Sequence, residues 1–278
     1  MKKFNAKKYP YKIIRKNPNS KSEPFPLLRN YDGDLSMMCV SPHHGRSFVV
    51  GRTTDGMYIV SKGNGLSYSQ HQYLFSAEFC DYTWGILLGN EAVRDFDMGV
   101  QISNLGIKTN IMDYVLELDA KIQLSNGHVI TPVLLQYLVE CPYRICDAAY
   151  MSKDDISTQV EKWEHWNSHG YDKSYLIAAK VLIENLAKLH SHDVLHNAIH
   201  IQNYTWALEL LDFELACSPK NPYNETESIT KAKDLFNREV LQTYEIINHI
   251  AWCLQEKINY VEVDNLFKKY GYDLATLK

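Results

Sequence analysis

The chain has 278 residues, with 29 Lys and Arg against 33 Asp and Glu, a formal net charge of -4 and an apolar fraction of 45%. That balance leaves room for one large domain or two lobes around a real core and gives no basis for nucleic-acid binding; no apolar run approaches the ~18 residues that mark a membrane span. Six scattered cysteines without metal-ligand spacing, and no apolar leader, point to reduced thiols in the cytoplasm.

Residues 1–23 carry Lys2, Lys3, Lys7, Lys8, Lys12, Arg15, Lys16 and Lys21 and read as a basic flexible arm. After an irregular stretch containing Pro24, Pro26 and Gly33, strands are expected to begin at Arg46. Arg46 to Arg52 and Met57 to Ser61 flank the turn Thr54-Asp55-Gly56, which is a β-hairpin by composition and spacing. Lys62 ends the second strand just before Gly63-Asn64-Gly65, where a compact ammonium charge is well placed to meet a polyphosphate. A surface lysine beside a turn is the plainer meaning of the same residues.

The aromatic stretch from Tyr68 to Gly89 has no clear period. From Glu91 to Leu105 the spacing of Val93, Phe96, Val100, Ile102 and Leu105 predicts a helix stopped by Gly106. Asp95 on this helix is a carboxylate able to pair with Lys62. Ile107 to Asp119 and Val129 to Glu140 read as strands joined through Asn126-Gly127. Cys141-Pro142-Tyr143-Arg144 then breaks the pattern and sets a lobe boundary near residue 140, with Arg144 available to a phosphate or to a salt bridge at the hinge.

Beyond that break the chain is mostly helical. One apolar stripe comprises Ala179, Leu182, Ile183, Leu186 and Leu189. A second comprises Phe236, Val240, Tyr244, Ile247, Ala251 and Leu254. Asn221 to Glu227 is a polar connection, and a short helix near Val263 to Tyr270 closes the chain. Between the stripes, Leu189 to Ala216 holds Asn203 and Asp212, nine residues apart, the second delivered by the apolar run Leu208 to Leu211 as a strand end. Asn and Asp around a hairpin are ordinarily turn formers. One amide oxygen and one carboxylate also suffice for Mg²⁺ when phosphates supply the remaining oxygens, and kinase-like folds use this layout. The expected class is therefore α+β, a two-lobed protein-kinase-like fold. Residues 24–140 form a small β-rich N-lobe for nucleotide phosphates, and 141–278 a helical C-lobe with the metal loop.

Taken together, these positions resemble the selenoprotein O family, protein-kinase-like enzymes that transfer AMP from ATP to protein hydroxyls. Gly45-Arg46 before Val49-Val50-Gly51 resembles that family's Gly-Arg ahead of its first strand. Lys62-Gly63-Asn64-Gly65-Leu66-Ser67-Tyr68-Ser69 resembles its Lys-Gly-Ala-Gly block ending in Tyr-Ser. Val93-Arg94-Asp95-Phe96 with Leu105-Gly106-Ile107-Lys108-Thr109 resembles its helix, with Asp95 in place of Glu, and the Leu-Gly-Ile-Pro-Thr that follows. Arg144, Asn203 and Asp212 stand where the family has a phosphate-binding Arg and its metal ligands.

The resemblance implies ATP and Mg²⁺ as cofactors. Lys62 and Asp95 hold phosphates, Arg46 and Arg144 clamp a flipped triphosphate, and a protein or peptide acts as acceptor. The chain departs from the family in being shorter, in ending without its redox-active cysteine or selenocysteine, and in lacking its base. The family's Asp before the metal Asn is Gln202 here, and the position used by ordinary kinases is Ala198. His200 is the substitute base and His196 the second choice. A zinc site built on His190, His192, His196 and His200 is set aside, because the loop lacks the partner pair a closed site requires. A kinase, a peptide-maturation enzyme and a pseudokinase scaffold remain alternatives to AMP transfer.

Overall fold

The computed structural model describes residues 1–40, 46–65, 85–123, 129–164, 170–218 and 232–277. The chain divides into two compact units, one of Met1–Val100 with Asn110–Pro142 and one of Gln101–Thr109 with Tyr143–Lys278.

The first unit is built on strands β1 (Lys2–Lys8), β2 (Tyr11–Lys16), β3 (Leu27–Arg29), β4 (Leu35–Cys39), β5 (Ser47–Arg52) and β6 (Tyr58–Lys62), most of helix α1 (Gly89–Ser103), whose residues from Gln101 belong to the second unit, and strands β7 (Ile111–Leu118), β8 (Ile122–Gln123), β9 (Val129–Ile130) and β10 (Val133–Val139). Eight strands form one antiparallel sheet in the order β2-β7-β10-β6-β5-β4-β1-β3, and β8 pairs with β9 separately. The second unit holds α2 (Lys153–Glu164), α3 (Ser174–Ser191), α4 (Ala232–Cys253) and α5 (Tyr260–Lys269). The α+β class is as expected, and its succession of strands, one helix, strands and then helices is compatible with a kinase-like chain.

The N-terminal expectation is corrected. Residues 1–23 are no flexible arm: β1 pairs with both β3 and β4, and β2 pairs with β7. Lysines mask the pattern because on a partly solvated sheet two inward residues are enough. In β1 these are fully buried Ala6 and partly buried Phe4, which pack with Leu27, Met37, Cys39 and Phe48. The following loop is pinned from beneath. Gln136 on β10 donates through Nε2 to Asp113 on β7 (2.8 Å) and accepts from the backbone N–H of Phe25 (2.9 Å), and Ser22 Oγ donates to Asp113.

The β5–β6 hairpin forms as expected, with Val49 opposite Val60 and a register shift between Val49 and Gly51. Helix α1 ends three residues before Gly106, which takes φ +72° as a left-handed stop. Strand β7 starts at Ile111 rather than Ile107, and the run from Val129 splits into β9 and β10 around Thr131-Pro132, where proline has no N–H to give a ladder. Leu66 to Ser69, Asn126-Gly127 and Asn221 to Glu227 lie outside the described residues, as does most of Tyr68 to Gly89.

In the helical unit the stripe on α3 is buried throughout. Helix α2 is an addition to the expected elements. It buries Trp163, which stacks on Trp206 at 5.7 Å between centroids and donates its indole N–H to the Trp206 carbonyl (3.0 Å). Leu208 to Leu211 is not a strand: Leu208 has φ +58°, and Leu210 alone bridges, to Thr109 and to Tyr204. No helix among the described residues is long and apolar enough to cross a membrane.

Candidate nucleotide and metal site

In the strand-rich unit, β6 runs between β5 and β10, placing Lys62 opposite Ser47 and Leu135. Lys62 is 2% exposed and Asp95 1%. Lys62 Nζ donates to Asp95 Oδ2 at 2.8 Å, so the pair expected from sequence exists and is sealed from water. Isolating either charge there would carry a large desolvation cost, which the partner offsets. Gly63 next to the lysine takes φ +97°. A Cβ at that position would come within 2.6 Å of the Val133 carbonyl and 2.8 Å of Leu87 Cβ, so only glycine lets the chain leave β6 this close to β10. Half-buried Arg46 stands just before β5, and its carbonyl accepts the Gly63 N–H at 2.7 Å, which ties the two ends of the hairpin together. Its expected neighbour in the motif, Gly45, lies outside the described residues.

In the helical unit, backbone bonds zip Tyr143–Ile145 to Tyr204–Trp206: Ile145 N–H to the Tyr204 carbonyl (2.8 Å) and Trp206 N–H to the Tyr143 carbonyl (3.0 Å). This sets Arg144 over the Asn203 turn. Arg144 is 9% exposed. It donates through Nη1 to the Gln202 carbonyl at 2.7 Å and to Asn203 Oδ1 at 3.4 Å, while its own backbone N–H goes to Asp147 Oδ2. Asn203 in turn donates through Nδ2 to the Ala198 carbonyl at 2.9 Å, which fixes the amide with its oxygen toward Arg144.

Two of the histidines separate cleanly. His196 is fully buried; its Nε2 faces the Leu211 carbonyl at 2.9 Å and its Nδ1 faces the Ala198 N–H. A carbonyl can only accept and an N–H only donate, so this is the neutral Nε2–H form in a structural role, with Phe213 against the ring at 5.5 Å. That removes His196 as the second-choice base. His200 is exposed, and its Nδ1 accepts the Gln202 N–H. His249 has its pKa lowered, first by burial and then by the charge of His200.

Asp212 is half-buried with φ +68°, and its carboxylate comes within 4.8 Å of that of Glu214. Four of the five described non-glycine residues at positive φ fall between Asp193 and Asp212. Such strain costs about 1–3 kcal/mol per residue and gathers where a site over-determines the backbone. The neighbouring Asp212 and Glu214 carboxylates are hard oxygen donors of the kind a divalent cation takes.

The sequence placed Ala198 at the kinase base position, five before Asn203, but two flanking features escaped the reading. His196-Asn197-Ala198 has the order of the kinase catalytic-loop triplet, with Asn for its Arg and Ala for its Asp. Asp212-Phe213-Glu214 has the order of the kinase metal loop, with Glu for its Gly. Spacing was the available signal, blurred by those replacements. The His196–Phe213 contact shows the two motifs acting as one packed unit.

No family model matches the chain, and no curated protein matches it significantly. The solved structures it is similar to include kinases and a pseudokinase. A Stt7 homolog from Micromonas algae soaked with ATP is 14% identical, with a TM-score of 0.37, over 93% of this chain and 83% of that one. The Toxoplasma gondii specific rhoptry antigen kinase domain is 11% identical, with a TM-score of 0.37, over 84% and 76%. A Neurospora crassa PAN3 pseudokinase mutant is 10% identical, with a TM-score of 0.39, over 95% and 59%.

Proposed function

We propose that the chain is an ATP-dependent transferase of the kinase-like class that transfers AMP to a hydroxyl of a protein or peptide acceptor. The observation that carries nucleotide binding is the sealed Lys62–Asp95 pair. A buried ion pair is weak evidence for stability, since well-packed apolar residues often do as well. Its place at a strand end beside an obligatory glycine suits an ammonium held ready for a phosphate. Asn203 and Asp212 would hold Mg²⁺, with Glu214 as a further carboxylate, and the ion when bound would neutralise phosphate charge. Lys62 and Arg46 would orient the phosphates. His200, exposed and with its Nδ1 engaged by the Gln202 N–H, would take the acceptor proton. AMP rather than γ-phosphate transfer rests on the resemblance of Arg46 and Arg144 to the selenoprotein O arginines.

A second reading, a nucleotide-binding pseudokinase scaffold, is favoured by Ala198, which leaves the usual base position without a carboxylate. Incubation with Mg²⁺ and ATP labelled separately at the α- and γ-phosphates distinguishes them, with Asp212→Ala as control. Protein-bound α-label supports AMP transfer, and γ-label replaces it with a kinase reaction. ATP binding without label in the presence of candidate acceptors supports the scaffold.

A further inference from the structure

Four residues of the helical unit that the transferase reading leaves unused form one continuous chain of hydrogen bonds. Tyr272 OH lies 2.9 Å from His190 Nδ1, His190 Nε2 lies 3.0 Å from Glu239 Oε2, and Glu239 Oε1 accepts the Asn197 backbone N–H at 2.6 Å. The chain joins three separate elements to one loop: His190 is near the end of α3, Glu239 lies in α4 and Tyr272 follows α5. Local sequence delivers the tyrosine. Gly271 takes φ +86° as the left-handed stop of α5; its N–H bonds the Lys268 carbonyl, and the Tyr272 N–H bonds the Phe267 carbonyl, with the Tyr272 ring 6.3 Å from that of Phe267.

The proton directions follow from the carboxylate end. A carboxylate only accepts, so His190 directs an Nε2–H at Glu239; in the neutral ring Nδ1 is then an acceptor, and the Tyr272 O–H is its donor. Burial, and then the Glu239 charge, push the Tyr272 phenol up from its ordinary value, so it keeps that proton. Glu239 is fully buried. Packing three helices together needs no carboxylate there, and apolar side chains would do it without the desolvation cost. What a carboxylate supplies is a strong acceptor for a backbone N–H. Asn197, which gives that N–H, takes φ +64°, a conformation that a non-glycine residue holds with help from its partners. Its side chain binds onward, donating through Nδ2 to the Leu215 carbonyl at 3.0 Å and accepting from Arg238 Nη2 at 3.2 Å. Asn197 thus ties the loop of His200 to the loop of Asp212 and Glu214.

We propose that Tyr272 is a positioning residue for the candidate catalytic loop: its hydroxyl fixes the His190 ring, the ring fixes the Glu239 carboxylate, and the carboxylate holds Asn197, three residues before the candidate base His200. The turn after α5, remote in sequence from that loop, is therefore part of the apparatus that shapes it. Tyr272 acts through two intermediaries and not on the reactants. Its effect on rate rests on the transferase reading above, whereas its hold on Asn197 is independent of that reading.

The test reads backbone amide hydrogen exchange by NMR, without nucleotide, for the full chain as wild type, Tyr272→Phe, Glu239→Gln and the double variant. Tyr272→Phe keeps the ring and removes one hydroxyl. The Asn197 amide should then exchange about five- to tenfold faster, the effect of one net hydrogen bond, and the mid-helix amides of Leu182 and Ile247 should accelerate clearly less. The double variant should match Glu239→Gln alone, because the tyrosine acts through that carboxylate. Unchanged Asn197 exchange in Tyr272→Phe, acceleration equal to that of the mid-helix amides, or additive acceleration in the double variant overturns the proposal. If Glu239→Gln fails to fold, the His190 ring ¹⁵N resonances replace it: Tyr272→Phe should move Nδ1, and an unmoved Nδ1 overturns the proposal. In the transfer assay Tyr272→Phe should lower kcat about tenfold and leave the KM for ATP unchanged, since it holds the loop and not the nucleotide. A raised KM with unchanged kcat contradicts that role. Absence of transfer by the wild type would sink the proposed function, while the exchange series still decides whether Tyr272 holds Asn197.

Discussion

Lys62 Nζ lies 2.8 Å from Asp95 Oδ2, and neither residue is more than 2% exposed. Breaking a buried ion pair by removing one partner costs about 3–5 kcal/mol. Asp95→Ala should therefore destabilise the chain by an amount of that order in urea unfolding. The paired apolar replacement Lys62→Met with Asp95→Leu should recover most of it while abolishing nucleotide binding. If the single variant unfolds at the wild-type denaturant concentration, the pair is not the buried support described above.

Asp212 lies in a left-handed backbone conformation within the loop that also carries Glu214. Asp212→Ala should eliminate the difference between ATP affinity with and without Mg²⁺, measured calorimetrically. The metal-free affinity should change little, because the aspartate is assigned to the ion and not to the nucleotide. An undiminished Mg²⁺ effect would remove Asp212 from the metal assignment.

His200 and His249 are electrostatically coupled. Burial first, and the His200 charge second, lower the pKa of His249. A histidine depressed in the folded state binds fewer protons than the unfolded chain. Its stability penalty is absent well above the ordinary value of about 6.5 and grows as pH falls through that value toward the folded pKa. His200→Gln should raise the His249 pKa by NMR titration and make thermal stability fall less steeply on acidification. An unmoved His249 titration would show that burial alone sets it. His200→Ala should also slow transfer while sparing ATP binding, and an unaffected rate would eliminate His200 as the base.

The Cys146 thiol is pushed up to about 12, mainly by burial and then by the neighbouring Asp147 carboxylate, and Cys253 is pushed up to about 11 by burial. Thiolate is the reactive form, so both should resist alkylation in the native chain at pH 8 and react once urea is added, as read by peptide mass. Rapid native modification of Cys146 would contradict its placement beside Asp147.

Much of the scaffold was legible because periodicity and turn chemistry are local. The β5–β6 hairpin, Lys62 at its end, α1 with its glycine stop and the stripes of α3 and α4 follow from residues close in sequence. The N-terminal strands were not legible. What makes Lys2–Lys8 and Tyr11–Lys16 into strands is pairing with β4 and β7, distant in sequence, and a lysine-rich strand with only Phe4 and Ala6 turned inward has the composition of a tail. The same division runs through the site. Residue types at the right intervals marked Lys62, Asp95, Asn203 and Asp212 as chemistry. Tertiary structure alone decided that Lys62 is sealed against Asp95, that His196 is a neutral packing residue, and that Arg144 lies on the Asn203 amide. Sequence determines which groups can ionise or coordinate; burial and the partners brought by the fold decide which of them are already engaged.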